Sequence, residues 1–199
     1  PLVQPGATDN EGEKPDRRKT RKLFWKEAKL SLVRRVDEIT PLFAVTLGDA
    51  VAAGADLKRL ALAAGFNSRS RVHGLGDGAP WIADQMERQF GAQGSYLVDF
   101  YHVCDYLAAA AKVCANNDSG WMNQQKDRLK TDQLHAVMSA LDPFQGPEAA
   151  LTEPCPVRQC YRYLANRPGQ FHYRAAITAN LPIGSGEVES AHRYVVQKR

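Results

Sequence analysis

Asp77 is the residue whose surroundings point most directly to chemistry. It lies between Gly76 and Gly78, after a short apolar run that begins at Val72, and a helical pattern starts just beyond it at Pro80. We therefore expect Asp77 at the end of a strand, where small neighbours leave its oxygens open to an ion or a substrate phosphate. An Asx-type turn, in which the carboxylate only bonds nearby main-chain amides, is the competing interpretation.

A second carboxylate, Asp99, follows another short apolar run, and a histidine comes three residues later. If the chain becomes helical at Phe100, Asp99 lies at the N-cap and His102 faces back toward it. Helix capping alone would explain Asp99. Pairing with His102 in a catalytic site is the alternative.

Two further acids, Glu187 and Glu189, follow a Gly-Ser-Gly sequence near the C-terminal end. Ser185 or Gly186 can cap a helix that begins at Glu187, and acids early in a helix suit the positive end of its dipole. The simplest interpretation of Glu189 is a surface pair with Arg193, four residues further on.

The elements that must position these acids alternate along the chain. Apolar runs rich in β-formers predict three strands, at 42–47, 71–76 and 95–99. Helical periodicity predicts helices at 50–64, at 80–90 and from 100 onward. Acids at the ends of strands that alternate with helices are typical of an α/β domain whose site lies beyond the carboxyl edge of the sheet. The segment 23–36 fits a strand and a helical face equally well.

A different pattern follows, from about 105 to 180, where helix formers are interrupted by prolines and no run resembles a strand. This segment is predicted to be all-helical. Its aromatic residues could stack on nucleic-acid bases, although such spacing more often packs a core. They are Tyr161, Tyr163, Phe171 and Tyr173.

Composition limits the possible classes of protein. The chain has 199 residues, 44% of them apolar and 24% charged, which suits one globular domain or one domain with an insertion. No apolar stretch of about 18 residues and no secretory leader is present, so we expect a cytoplasmic protein with no membrane partner. The four cysteines lack metal-binding spacing and are expected to be reduced, structural thiols.

The net charge of +4 is unevenly spread, because seven basic residues crowd into the stretch 17–29. Such a basic strip suits contact with phosphates, and a solvated basic loop would look the same. Its members are Arg17, Arg18, Lys19, Arg21, Lys22, Lys26 and Lys29.

Three sequence blocks, taken in order, resemble the conserved blocks of bacterial insertion-sequence transposases of the Mutator-like group. They are Gly-Asp-Gly-Ala-Pro-Trp-Ile at 76–82, Asp-Phe-Tyr-His at 99–102 and Gly-Ser-Gly-Glu-Val-Glu-Ser at 184–190. The resemblance implies an RNase H-like mixed sheet with flanking helices and an all-helical insertion before the last catalytic helix. The segment 25–30 also resembles the strand after the first acid of this group, which favours a strand within 23–36.

Carried over by position, the resemblance makes Asp77 the second and Glu189 the third acid of a DDE triad that binds Mg²⁺ or Mn²⁺. Asp99 and His102 match the Asp/Cys-x-x-His element of the group. His102 would orient the scissile phosphate or an acid, and Asp99 would fix its imidazole tautomer. Glu187 is a rival third acid, but the Val-Glu-Ser ending of the block favours Glu189.

The first acid of the triad has no match, because Asp9 and Asp16 lie in a polar stretch and not in an apolar Asp-Gly block. The opening Pro-Leu-Val resembles the tail of that block, so we expect the first Asp a few residues upstream and little activity from this chain alone. The implied organisation is a loop and truncated start of the catalytic domain at 1–22, an RNase H-like core at 23–103, a helical insertion at 104–180 and the C-terminal catalytic helix at 181–199.

The function implied is DNA transposition by metal-dependent cleavage and strand transfer, performed by a homo-oligomer on transposon-end and target DNA in the bacterial nucleoid. Basic residues would hold the DNA backbone without reading its sequence. The alternatives are a non-catalytic DNA-binding or assembly remnant and an RNase H-like nuclease. The predicted DNA contacts are Arg17, Arg18, Lys19, Arg21, Lys22, Lys198 and Arg199.

Overall fold

Four short strands and eight α-helices make up the part of the chain that the structure describes, residues 26–146 and 155–195. This computed structural model confirms the mixed α/β class predicted from the sequence. The strands are β1 (Lys29–Val33), β2 (Leu42–Thr46), β3 (Val72–Gly76) and β4 (Gly94–Val98). The helices are α1 (Ala50–Ala63), α2 (Pro80–Phe90), α3 (Phe100–Cys114), α4 (Ser119–Lys130), α5 (Leu134–Leu141), α6 (Pro156–Ala165), α7 (Tyr173–Thr178) and α8 (Gly186–Val195).

The strands pair in two separate sheets within the described residues. β1 and β2 are antiparallel, and Lys29 lies opposite Thr46. β3 and β4 are parallel and joined through α2, so Gly76 lies opposite Val98 at their carboxyl ends. Residues 77 and 99 therefore both follow the carboxyl edge of the parallel pair, as expected for strands linked by a helical crossover.

Local capping chemistry explains most of the element boundaries. The Asp49 carboxylate accepts a hydrogen bond from the Ala52 amide at 2.8 Å and begins α1, and Gly65 closes it with a φ of +92°. Thr46 at the end of β2 donates a hydrogen bond to Asp56 of α1. The predicted helix at 50–64 and strand at 42–47 are thus confirmed, and the ambiguous 23–36 segment contains β1.

The main core joins β4 to the helices that follow it. Fully buried side chains of β4, α3, α6 and α7 form one cluster with residues from α4 and α5, including Val98, Leu107, Cys160 and Tyr173. α3 runs through the boundary predicted at 103 and 104, and the cluster is continuous across it. The sheet edge and the helical segment are therefore supported by one shared core.

The helical segment contains no strand in its described part, as predicted. Its aromatic residues Tyr163, Phe171 and Tyr173 are buried in the core, which confirms the packing interpretation and removes them as base-stacking surfaces. No helix among the described residues is both long and apolar enough to cross a bilayer.

The four cysteines are free thiols, as expected. Burial raises the pKa of Cys104 to about 11 and that of Cys160 to about 12. Both therefore remain protonated at neutral pH and act as small apolar groups of the core.

Candidate functional site

Asp77 lies in the turn between β3 and α2, as predicted. Its Oδ1 accepts a hydrogen bond from the Ala79 amide at 2.9 Å, which confirms the Asx-type turn. The side chain is exposed, and within the described residues it forms no ion pair. The turn therefore uses one lone pair of the carboxylate and leaves the rest accessible to a ligand.

The two glycines beside Asp77 have a second role besides leaving its oxygens accessible. A Cβ on Gly78 would lie 2.5 Å from Arg167 Nε and 2.7 Å from the Tyr163 hydroxyl, and one on Gly76 would lie 2.8 Å from the Tyr96 hydroxyl. These glycines therefore permit side chains from β4, from α6 and from the turn after α6 to pack closely around the turn.

We expect Gly78→Ala to lower the free energy of unfolding by about 2 kcal/mol, because Gly78 has a left-handed φ of +83° and its neighbours are anchored. Urea unfolding measures this cost. Gly169→Ala is the matched control, since Gly169 has a φ of +75° but no atom within 4 Å of the added Cβ. Equal losses in the free energy of unfolding for the two variants would show that the neighbours of Gly78 can move aside at little energetic cost.

Asp99 caps α3 and also holds the third sequence block. Its Oδ1 accepts hydrogen bonds from the amides of Tyr101 at 2.7 Å and His102 at 3.1 Å. Its Oδ2 accepts one from the Ser185 amide at 2.6 Å and another from the Ser185 hydroxyl. The N-cap interpretation is confirmed, and the same buried carboxylate ties the start of α3 to the start of α8.

The predicted role of Asp99 in fixing the His102 imidazole is not supported by these bonds, because the carboxylate contacts the main-chain N–H of His102. The imidazole instead lies edge-on to Tyr106 and Tyr163, with ring centroids 5.5 and 5.7 Å apart. The reason is local. One carboxylate oxygen accepts the free amides of the first helical turn, and the other accepts from Ser185, so both are occupied.

The pKa of Asp99 lies below its ordinary value. Burial alone would raise it, but the hydrogen bonds from the Ser185 side chain and amide and from the amides of His102 and Tyr101 stabilise the charged form more strongly. The folded state therefore holds this proton less tightly than the unfolded state, whose aspartate pKa is about 3.9.

It follows that Asp99 stabilises the fold fully above the unfolded pKa and loses this effect as pH falls through the lower, folded pKa. We expect urea unfolding midpoints to fall more steeply below about pH 4 in the native chain than in Asp99→Asn. Parallel pH profiles for the two proteins would contradict this assignment of the titrating group.

Glu187 and Glu189 lie in the first turn of α8 but have different surroundings. The carbonyl of Ser185 accepts the amides of Val188 and Glu189 at 2.8 and 3.3 Å, so Ser185 begins the helix. Glu187 is held by the Arg34 guanidinium in a two-point ion pair, with Nη2–Oε1 at 3.0 Å and Nε–Oε2 at 3.2 Å. This pair assigns Glu187 a structural role.

Glu189 is exposed at a groove of about 380 Å³ between α8 and the beginning of β1. Within the described residues its carboxylate makes no ion pair, including the predicted one with Arg193. Of the two rival acids, Glu189 is therefore the one without an ion pair in the described part of the chain. The groove is lined by Ala28, Leu30, Val188, Glu189, His192 and Arg193.

Two chains of contact connect the Asp77 turn with α8. The Asp99 amide donates to the Gly76 carbonyl at 2.7 Å, and the Asp99 carboxylate holds Ser185 at the start of α8. On the other route, the Lys29 ammonium of β1 lies 5.7 Å from the centroid of the Trp81 ring, and the neighbours of Lys29 line the groove of Glu189. The three sequence blocks are thus joined by direct contacts.

The basic residues predicted to contact DNA at 17–22 and at 198–199 lie outside the described residues. Of the rest of the basic strip, Lys29 is only 11% exposed and bonds Glu27 at 2.9 Å, so it is a packing residue and not a surface cation. Across residues 26–146 and 155–195, no group of three or more His, Cys, Asp or Glu side chains is arranged to hold a metal ion. Asp77 and Glu189 offer the oxygen donors that Mg²⁺ prefers, but only two of them.

Sequence reasoning missed Tyr96, Tyr163 and Arg167 as residues of this site. Tyr163 was considered only as a core or base-stacking residue. The spacing of Tyr163 and Arg167, four apart, was the one available signal, since such pairs share a helix face. Nothing in it indicated contact with a turn at residues 77 and 78.

Comparison with known proteins adds no relative: no protein-family model, curated protein or solved structure matches the chain.

Proposed function

We propose that this chain is part of the catalytic domain of a DDE-type DNA transposase with an RNase H-like fold, acting on DNA ends with Mg²⁺ or Mn²⁺. The observation that carries the proposal is the junction made by Asp99. The main-chain amide of Asp99 donates to the Gly76 carbonyl beside Asp77, and its buried carboxylate accepts from Ser185 at the start of the helix that bears Glu189. These are the blocks that resemble the conserved blocks of Mutator-like transposases.

The accessibility of the two acids supports the proposal. Asp77 and Glu189 are both exposed and without ion pairs in the described part of the chain, whereas Glu187 is neutralised by Arg34. Carboxylate oxygens without ion pairs are the ligands that Mg²⁺ prefers in proteins. Asp77 and Glu189 are the proposed ligands.

The chemistry required is attack by water or a DNA 3′-hydroxyl on a phosphodiester, which forms one P–O bond while the bond from phosphorus to the leaving oxygen of the cut strand breaks. Bound divalent ions supply Lewis-acid stabilisation of the charge that develops on the phosphoryl oxygens. The protein's part is to hold Asp77 on the rigid end of β3 and Glu189 on the first turn of α8. The proposed role of His102, which packs against two tyrosine rings and is partly exposed, is to contact a phosphate or an acid.

A non-catalytic DNA-binding or assembly role is the second candidate. It is favoured by the absence, among the described residues, of any three-acid group that could hold a metal. In that case the junction at Asp99 would serve only to stabilise the fold, and Asp77 would be only a turn residue.

Cleavage of DNA by the protein expressed from its complete reading frame tests the proposal. The substrate is a labelled duplex carrying the sequence that flanks the gene, incubated with Mn²⁺ and, in parallel, with EDTA. We expect strand cleavage at the element end only with the metal. DNA binding without cleavage would favour the assembly role, and preferential cutting of an RNA–DNA hybrid would favour an RNase H-like nuclease.

A further inference from the structure

The main chain of Asp77 and Gly78 is held by two residues from α6 and the turn that follows it. The Tyr163 hydroxyl donates a hydrogen bond to the Asp77 carbonyl at 2.6 Å, and Arg167 Nε donates one to the Gly78 carbonyl at 2.6 Å. We call Tyr163 and Arg167 the α6 clamp. From β4, the Tyr96 hydroxyl accepts the Gly78 amide at 3.1 Å, so three side chains fix one turn.

The α6 clamp is itself rigid. The Arg167 guanidinium lies 3.8 Å from the centroid of the Tyr163 ring and donates from Nη1 to the Tyr163 carbonyl at 2.8 Å. The buried Tyr163 ring stacks on Tyr106 of α3, with centroids 4.1 Å apart and planes 23° apart. The side chains of Tyr163 and Arg167 are therefore held by contacts within the protein, as a preorganised site requires.

The acceptors of the clamp are main-chain carbonyls. Arg167 makes no ion pair with any described acid, so its donors are directed to carbonyl groups of the turn and of α6.

We propose that Tyr163 and Arg167 are positioning residues for Asp77, holding its turn in the conformation that binds the metal. This inference rests on the proposed function. It assigns a role to the helical segment between the second and third blocks, because Tyr163 of α6 forms a hydrogen bond with Asp77, which lies 86 positions earlier in the sequence. Residues that orient a metal ligand typically change metal affinity by about 10- to 100-fold when removed.

Tyr163→Phe tests the proposal, with Tyr173→Phe as the matched control. Tyr173 is equally buried, and its hydroxyl also donates to a strand-end carbonyl, that of Val98, at 2.9 Å. The readouts are hydrogen exchange of the Gly78 and Ala79 amides and the Mn²⁺ dissociation constant from electron paramagnetic resonance. We expect about tenfold faster exchange and about tenfold weaker Mn²⁺ binding in Tyr163→Phe, and neither change in Tyr173→Phe.

The outcomes separate the two proposals. If the native protein binds no Mn²⁺, the proposed function and the positioning role both fail. If it binds Mn²⁺ and Tyr163→Phe binds it as tightly as Tyr173→Phe does, the positioning role alone fails. Arg167→Lys keeps the charge but loses the Nε donor, and provides the same test with the same expected weakening if Tyr163→Phe does not fold.

Discussion

Replacing Asp99 with alanine is expected to lower the free energy of unfolding by about 3 kcal/mol. The substitution removes the acceptor for four hydrogen bonds, two from the first turn of α3 and two from Ser185. Because the residue is only 3% exposed, water cannot fully replace the lost acceptor. An N-cap alone is worth about 1 kcal/mol, and the buried Ser185 contacts account for the rest.

The control is Asp49→Ala, which removes an exposed N-cap that accepts one amide hydrogen bond. Urea unfolding should show a loss of about 1 kcal/mol for that variant, near the usual value of a cap. Ser185→Ala combined with Asp99→Ala should be less destabilising than the sum of the two single changes, because both remove the same contact. Equal losses in Asp99→Ala and Asp49→Ala would show that Asp99 is only a helix cap.

Asp77→Asn and Glu189→Gln are each expected to reduce DNA cleavage by at least about 1,000-fold, or about 4 kcal/mol of transition-state stabilisation. Both variants keep the shape of the side chain. An amide replaces one anionic oxygen by a donor group, which weakens the binding of a divalent cation. The assay is cleavage of the flanking-sequence duplex in Mn²⁺ by protein from the complete reading frame.

Glu187→Gln is the matched control, because Glu187 lies in the same helical turn but is paired with Arg34. This surface variant should retain cleavage to within a few fold and lose only a small amount of stability. Undiminished cleavage by Asp77→Asn or Glu189→Gln would reject that acid as a ligand. Loss of cleavage in Glu187→Gln with activity retained in Glu189→Gln would reverse the assignment of the two acids.

The features predictable from sequence were those fixed by local chemistry. The helix caps Asp49 and Asp99 and Pro80 at the first position of α2 depend on interactions with near neighbours. Carboxylates and prolines at helix starts satisfy or remove free amides whatever the rest of the chain does. The boundaries of these elements were accordingly close to the observed ones.

The features that could not be predicted depend on distant pairings. The Tyr163 hydroxyl meets the Asp77 carbonyl across 86 positions, and no local pattern marks a tyrosine for that contact. The pattern of the segment around β1 was compatible with strand and helix, and only the resemblance favoured the strand, which forms by pairing with β2. Glycine at 78 indicated a turn, but its close packing against Arg167 required the tertiary structure.

The proposed function requires Asp77 and Glu189 to bind the same divalent ion. Paramagnetic broadening by Mn²⁺ in two-dimensional NMR spectra of the protein measures this, because broadening reports distance from the ion. We expect amides next to Asp77 and amides next to Glu189 to broaden together at one Mn²⁺ concentration, and Asp77→Asn to abolish both effects. Broadening near Glu189 that persists unchanged in Asp77→Asn, or is absent while residues near Asp77 broaden, would contradict it.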